Sequence, residues 1–283
     1  MQNKATTSQT SKTDDPPLLY HYTSSNGLKG IIKGDIWITK IHYMNDSSEL
    51  NLAFKYIREE IELQKSSPYN RKRSIGDLNE MLRALESIEK INVAVASFTE
   101  NIDDLNQWRG YCKMGDGYCI GFEYEKLKKH IDKHPNYKLV RCLYKEDEHR
   151  NLIKELVNSK DSYNLPQNPS PEDIFAQAEN FRKETLSIAP RIKANGFKDE
   201  KEWRLISAPL HYTDAEFRSG SFTLIPYWEF KLDLENTLNL IMIGPTPEKD
   251  LSHNSVMGLV YKSFPSDFVK INIKHSKIPF RNI

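Results

Sequence analysis

The run Phe197-Lys198-Asp199-Glu200-Lys201-Glu202-Trp203-Arg204-Leu205-Ile206 decides how the fold is read. Its charged and apolar residues alternate with period two, which predicts a strand carrying Glu200, Glu202 and Arg204 on one face and Trp203 and Leu205 on the other. Side chains two apart on one face stand about 7 Å from each other. The two carboxylates can therefore hold opposite sides of one small polar group while Arg204 pairs with one of them. The alternative is an exposed edge strand whose charges are simply solvated.

Upstream, residues 138–144 predict another strand, and residues 145–195 carry Pro166, Pro169 and Pro171 between two helical patterns, as an inserted helical segment would. Residues 92–99 are the clearest core strand and place Ser97 and Thr99 on one face. Trp108, Arg109 and Tyr111 follow on a loop or short helix, either as a lid stacking on a planar ligand or as a plug on the core. Gly115, Asp116 and Gly117 read as a hairpin turn returning through residues 118–124. Residues 49–64 and 75–90 are amphipathic and form a helical pair. At the front, residues 18–23 predict a buried strand bearing His21 and Thr23, followed by a helix that ends at Gly34, a second strand over 36–39, and a polar loop with Tyr43, Asn45 and Asp46. Downstream of the organising run, strands are expected within 207–212, 222–225, 229–234 and 238–243, then a helix over 251–261 and a last strand over 269–273. The order predicts an α+β fold with a mainly antiparallel split β-sheet and flanking helices. Residues 1–17 read as a disordered leader and residues 18–283 as one domain with the insertion near 145–195.

Charge is balanced, with Lys+Arg 40 against Asp+Glu 39 and a net +1, so the overall field does not select a polyanionic partner. Cys112, Cys119 and Cys142 lack metal-ligand spacing and read as free thiols of a cytoplasmic protein. No apolar run approaches the roughly 18 to 20 residues that a bilayer span requires, and the mean hydropathy is -0.65. Taken singly, His21 reads as a core histidine with one backbone hydrogen bond, Ser97 and Thr99 as strand hydroxyls, and Asn45, Asp46 and Glu49 as helix caps.

In combination, a first-strand His21, the Ser97-Phe98-Thr99 strand and the late Glu200-Lys201-Glu202 resemble the three-part pattern of the ADP-ribosyltransferase fold. That resemblance implies NAD as substrate, with His21 and Thr23 on its ribose and carboxamide, Tyr22 or Tyr43 against nicotinamide, and Ser97 holding the strand in register. It also implies Glu202 facing the oxocarbenium and Glu200 orienting the acceptor. Arg204 suits a pyrophosphate oxygen. Phe98 stands where the family pattern has a middle hydroxyl, and the first strand has His rather than Arg.

A broader resemblance covers nearly the whole chain. Tyr20 to Ser24, Trp37 with Asn45 to Glu49, Ser97 to Thr99, Trp108 to Tyr111, Gly117 to Phe122, Glu200 to Arg204, Ile243 to Pro245 and Ser276 to Arg281 resemble the motifs of the bacterial domain-of-unknown-function family 2971. Its members often neighbour phage-defence and toxin genes. The expectation is thus an NAD-dependent ADP-ribosyltransferase or NAD glycohydrolase. It would act as a toxin or defence effector on a protein or nucleic-acid acceptor, with an antitoxin or regulator as partner and no membrane. A nucleotide sensor without turnover is the first alternative, and a metal-dependent nuclease using His21, Glu49, Glu200 and Glu202 the second.

Overall fold

The computed structural model describes residues 15–44, 48–67, 72–88, 91–112, 115–266 and 270–279. The first half runs β1 (Leu18–Thr23), α1 (Ser25–Ile32), β2 (Asp35–Lys40), α2 (Ser48–Ser66), α3 (Ile75–Glu86), β3 (Ala94–Thr99), α4 (Leu105–Tyr111), β4 (Tyr118–Glu123) and α5 (Tyr124–Ile131). Then come β5 (Tyr137–Arg141), α6 (Glu146–Asn158), α7 (Pro171–Ile188), β6 (Glu202–Ser207), β7 (Glu216–Ser219) and β8 (Leu224–Lys231). The chain closes with α8 (Leu234–Thr237), β9 (Leu238–Ile243), α9 (Lys249–Ser263) and β10 (Asn272–His275). The fold is α+β. Its sheet is mostly antiparallel, made mixed by the parallel pairing of β9 with β10.

Strand β3 is the junction of the sheet. One edge pairs with β6 from Val95↔Ile206 to Thr99↔Glu202. The opposite edge is shared: β2 takes its start, at Lys40↔Ala94 and Thr39↔Val95, and β1 takes its end, at Tyr20↔Thr99. Between those two contacts β1 and β2 diverge. One wing, β1-β4-β9-β10, leaves from the end of β3, and the other, β2-β8-β7, leaves from its start.

Alternation along β3 and β6 sorts the two cores. Ala94, Ala96, Phe98, Trp203 and Leu205 face one apolar core with α1 and α5, while Val95 and Ile206 face a second. The second core is built from α2, α3, α6 and α7, so residues of the 145–195 segment, including the fully buried Tyr163 and Phe181, share it with the helical pair.

Two local expectations are corrected. The strand does not extend back through Glu200, because residues 195–200 form a 3-10 turn and Lys201 is left-handed at φ 44°. Tertiary contacts override the alternation there. Thr99 Oγ1 donates to the Glu200 carbonyl at 2.6 Å, and Asn101 Nδ2 donates to that of Asp199 at 2.6 Å, tying the turn to the end of β3. The second correction concerns the return strand of the expected hairpin. Strand β4 pairs with β1 and β9, Tyr124 opens α5, and Asp116 instead accepts from Ser25 N (3.1 Å) and Ser25 Oγ (3.2 Å) at the start of α1.

Truncating Phe181 tests whether α7 is integral. Phe181→Ala should cost about 3–5 kcal/mol in chemical denaturation followed by circular dichroism, as for a fully buried aromatic. An unchanged midpoint would mean that α7 merely decorates the surface.

Candidate functional site

The divergence of β1 and β2 opens a cleft of about 280 Å³ over the middle of β3. Residues Tyr20 to Ser24 form one wall, Trp37 and Thr39 the other, Val95 to Thr99 the floor, and Gln107 and Tyr111 of α4 one end. Tyr43, Glu200, Glu202 and Arg218 complete it.

His21 bridges the gap between the strands. Its Nδ1 lies 2.8 Å from the Ser97 carbonyl, on the edge of β3 that neither β1 nor β2 covers there. A carbonyl only accepts, so Nδ1 carries the hydrogen. Burial lowers the pKa, the bond to Ser97 only partly restores it, and the ring is neutral with Nε2 as an acceptor. Ser97 Oγ is itself buried with no hydrogen-bond partner. Thr23 lies beside Gly27 of α1, where a β-carbon would fall 1.8 Å from Thr23 Oγ1, so that helix can approach the strand only through a glycine.

The carboxylates are held by a buried ion network rather than by strand geometry alone. All six residues of β6 are buried, which excludes the solvated edge strand. Arg204 grips Glu202 through Nε–Oε1 (2.8 Å) and Nη2–Oε2 (2.9 Å), and donates Nη1 to the Pro190 carbonyl (2.8 Å). Lys193 Nζ lies 2.6 Å from Glu202 Oε2 and 2.7 Å from Glu200 Oε2. Side-chain exposure is 3% for Glu202 and Arg204 and 5% for Lys193, against 25% for Glu200. Burial pushes the Glu202 carboxyl up, but Arg204 and Lys193 outweigh it and bring the pKa down to about 2. Tyr111 faces the same carboxylates. Burial first, then Glu202 and Glu200, hold its hydroxyl protonated well above the usual tyrosine range.

The residues expected at a site fall partly in this cleft and partly outside it. His21, Tyr22, Thr23, Tyr43, Ser97, Glu200 and Glu202 are brought together. Arg204 does not line the cleft, since its guanidinium is spent on Glu202 and Pro190. Trp108 is not a ligand platform either. It is buried, donates Nε1 to Asp103 Oδ1 at 2.9 Å, and meets Tyr22 edge-on with ring centroids 4.7 Å apart. Tyr22 has its hydroxyl committed, donating to Asn101 O (3.1 Å) and accepting from Asp104 N (3.0 Å). Asn45, Asp46 and the side chain of Glu49 lie outside the described residues.

Lys193 and Arg218 were missed. Lys193 follows a helix with no charge pattern to single it out, and it reaches Glu202 because residues 191–193 run beside Leu143. Arg218 sits on the short β7, whose four residues are exposed, in a stretch between the strand expected within 207–212 and the one within 222–225 that carries no signal of its own. Among the described residues no group of three or more His, Cys, Asp or Glu side chains is arranged to hold a metal ion, and no helix is long and apolar enough to cross a membrane.

Residues 107–205 match the family model described as "Protein of unknown function (DUF2971)". The matched DUF2971 span starts at Gln107 in α4 and ends at Leu205 in β6, so it takes in Tyr111, Lys193, Glu200, Glu202 and Arg204. It bears out the family resemblance over that stretch; β1, β2 and β3 lie outside it. No curated protein and no solved structure matches the chain.

Glu202→Gln should leave Arg204 buried without its anion and Lys193 with Glu200 alone, and cost about 3–5 kcal/mol at pH 7. Because the folded pKa is depressed, this stabilisation is present above the ordinary carboxylate value of 4.5 and is lost as pH falls toward about 2. Urea titrations of both proteins from pH 7 to pH 3 should therefore converge on acidification. A constant gap would mean that Glu202 acts through packing rather than charge.

Proposed function

We propose that the cleft binds the nicotinamide–ribose end of NAD and that the protein transfers ADP-ribose to a macromolecular acceptor, protein or nucleic acid. What carries this reading is the convergence of a neutral His21, the unpartnered hydroxyl of Ser97, and two carboxylates on one cleft opened by the divergence of β1 and β2 from β3. The fold proposed to match this use is the ADP-ribosyltransferase-like split sheet. In the reaction, the C1′–N bond breaks with its electron pair leaving on nicotinamide, which departs neutral. The acceptor's nucleophile then adds to C1′ and gives up its proton. Such a step needs an anion beside the developing oxocarbenium and donors or acceptors that fix the sugar.

The carboxylate pair divides that work. Glu202, charged and pinned by Arg204, fixes Lys193 and forms the wall. Glu200 keeps a quarter of its side chain exposed and uses only Oε2 on Lys193, which favours it as the group presented to the sugar. His21 Nε2 accepts from a ribose hydroxyl or carboxamide N–H, and the half-exposed Tyr43 ring offers the nicotinamide a surface. A toxin or phage-defence effector restrained by a partner protein is the setting we propose for this activity. The internal neutralisation of Glu202 also favours a second reading, a nucleotide sensor that binds without turnover.

Nicotinamide release from NAD, with and without cell lysate, separates the two. Wild type should release it, Glu200→Gln should lose on the order of 10²-fold while keeping the wild-type melting curve, and Glu202→Gln should lose both activity and stability. Binding of NAD without release in either condition would favour the sensor.

A further inference from the structure

Charged side chains line the cleft at both ends: at one the carboxylates of Glu200 and Glu202, neutralised from outside it by Lys193 and Arg204, and at the other the cation Arg218. Glu202 pairs across the sheet with Thr99 at the end of β3, and Glu200 lies beside it. Arg218 belongs to the other end, because its Nη2 approaches Thr39 Oγ1 at 3.4 Å and Thr39 is the partner of Val95. Val95 and Thr99 are four residues apart along β3, on the order of 13 Å at the usual rise per residue. Among the described residues that line the cleft, Arg218 is the only Lys or Arg, and its one hydrogen bond, to a neutral hydroxyl, leaves most of its donor fork unused.

From this geometry we infer that Arg218 is the anion-binding residue of the cleft and recognises the diphosphate of a nucleoside diphosphate-type ligand whose sugar end lies toward Glu200. The inference rests on the proposed NAD reading only for the identity of that sugar end. Arg204 cannot serve instead, since both of its terminal nitrogens and Nε are bonded inside the protein. The planar fork of Arg218 can engage two phosphate oxygens at once, which an ammonium in its place would not do. The residue is exposed, but its guanidinium is partly desolvated where it enters the cleft, which lowers its pKa, and an arginine stays cationic at neutral pH. The exposed position of β7 allows Arg218 to be changed without opening a core.

Isothermal titration of the full chain with ADP-ribose, inorganic pyrophosphate and nicotinamide riboside, against wild type, Arg218→Lys and Arg218→Ala, tests the assignment. The alanine variant should bind ADP-ribose at least about tenfold more weakly, the lysine variant should fall between, and nicotinamide riboside, which has no phosphate, should not discriminate. Thermal midpoints should agree across the three proteins. Pyrophosphate binding that is Arg218-dependent but not competed by ADP-ribose would mean a free-phosphate site and overturn the nucleotide assignment. Equal affinities of wild type and Arg218→Ala for ADP-ribose, or no binding of any phosphate probe to wild type, would also overturn it. The two readings fail separately. Arg218-dependent ADP-ribose binding without nicotinamide release leaves this site standing and removes the transferase, whereas NAD cleavage with an unchanged KM in Arg218→Ala does the reverse.

Discussion

A strand has two edges, and β3 has three neighbours. With β6 occupying one edge from Val95 to Thr99, β1 and β2 must divide the other, and neither can cover the stretch around Ser97. An uncovered backbone carbonyl inside a sheet is costly unless something else bonds it. The His21 imidazole does so at 2.8 Å, and that bond fixes its tautomer, while burial of the ring keeps it neutral. The cleft is thus a consequence of sheet topology, and the histidine at its floor is there to satisfy the backbone before it does anything else. The core-histidine reading accounts for one nitrogen of His21, the Nδ1 bonded to Ser97, and that bond leaves Nε2 as the ring's acceptor among the residues that line the cleft.

The carboxylate wall follows a different logic. Burying Glu202 alone would drive its proton back on, so its charge persists only because Arg204 grips both oxygens and Lys193 adds a second cation. Apolar residues of similar volume could fill the same space at comparable stability. What the ions add is a carboxylate that cannot rotate and a lysine shared with Glu200, so that the more exposed acid is positioned by the buried one. A preorganised charge of this kind has little reorganisation left to do when a ligand arrives.

Much of this was legible in the chain because it is local. The period-two alternation of Glu202, Trp203, Arg204 and Leu205 gives the strand and its two faces, and Ser97 and Thr99 share a face for the same reason. Legibility ended where distant backbone groups intervened. The alternation continues back through Glu200, but hydrogen bonds from Thr99 and Asn101 curl that stretch into a 3-10 turn. Lys193 and Arg218 are ordinary surface residues in sequence. They reach the site only because α7 delivers residues 191–193 beside Leu143 and because β2 pairs with β8, which carries β7. Nor could sequence choose between lid and plug for Trp108 and Tyr111, because one turn of helix sends the first inward and the second toward the carboxylates.

The scattered motifs behind the family resemblance resolve into two physical tasks. His21, Thr23, Ser97, Thr99, Glu200 and Glu202 surround the cleft. Trp108, Gly117, Gly244 and Ser276 do not; they buttress it from behind. A β-carbon on Gly244 would lie 2.9 Å from Trp108 Cζ3, and one on Gly117 would lie 2.8 Å from Cys112 Cβ and 3.2 Å from Trp108 Cε3, so both glycines leave room that the packing around the indole uses. Asp103, left-handed at φ 54°, accepts from Trp108 Nε1, Ser276 Oγ (2.6 Å) and Lys277 N (2.8 Å). That one carboxylate ties α4 to the strand end beyond β10, and Trp108 in turn props Tyr22, whose hydroxyl holds Asn101 and Asp104. Asn101 is the residue that pins the Asp199 carbonyl. The buttress therefore reaches the carboxylate turn through two hydrogen-bonded steps, which accounts physically for residues near both ends of the chain bearing on one cleft.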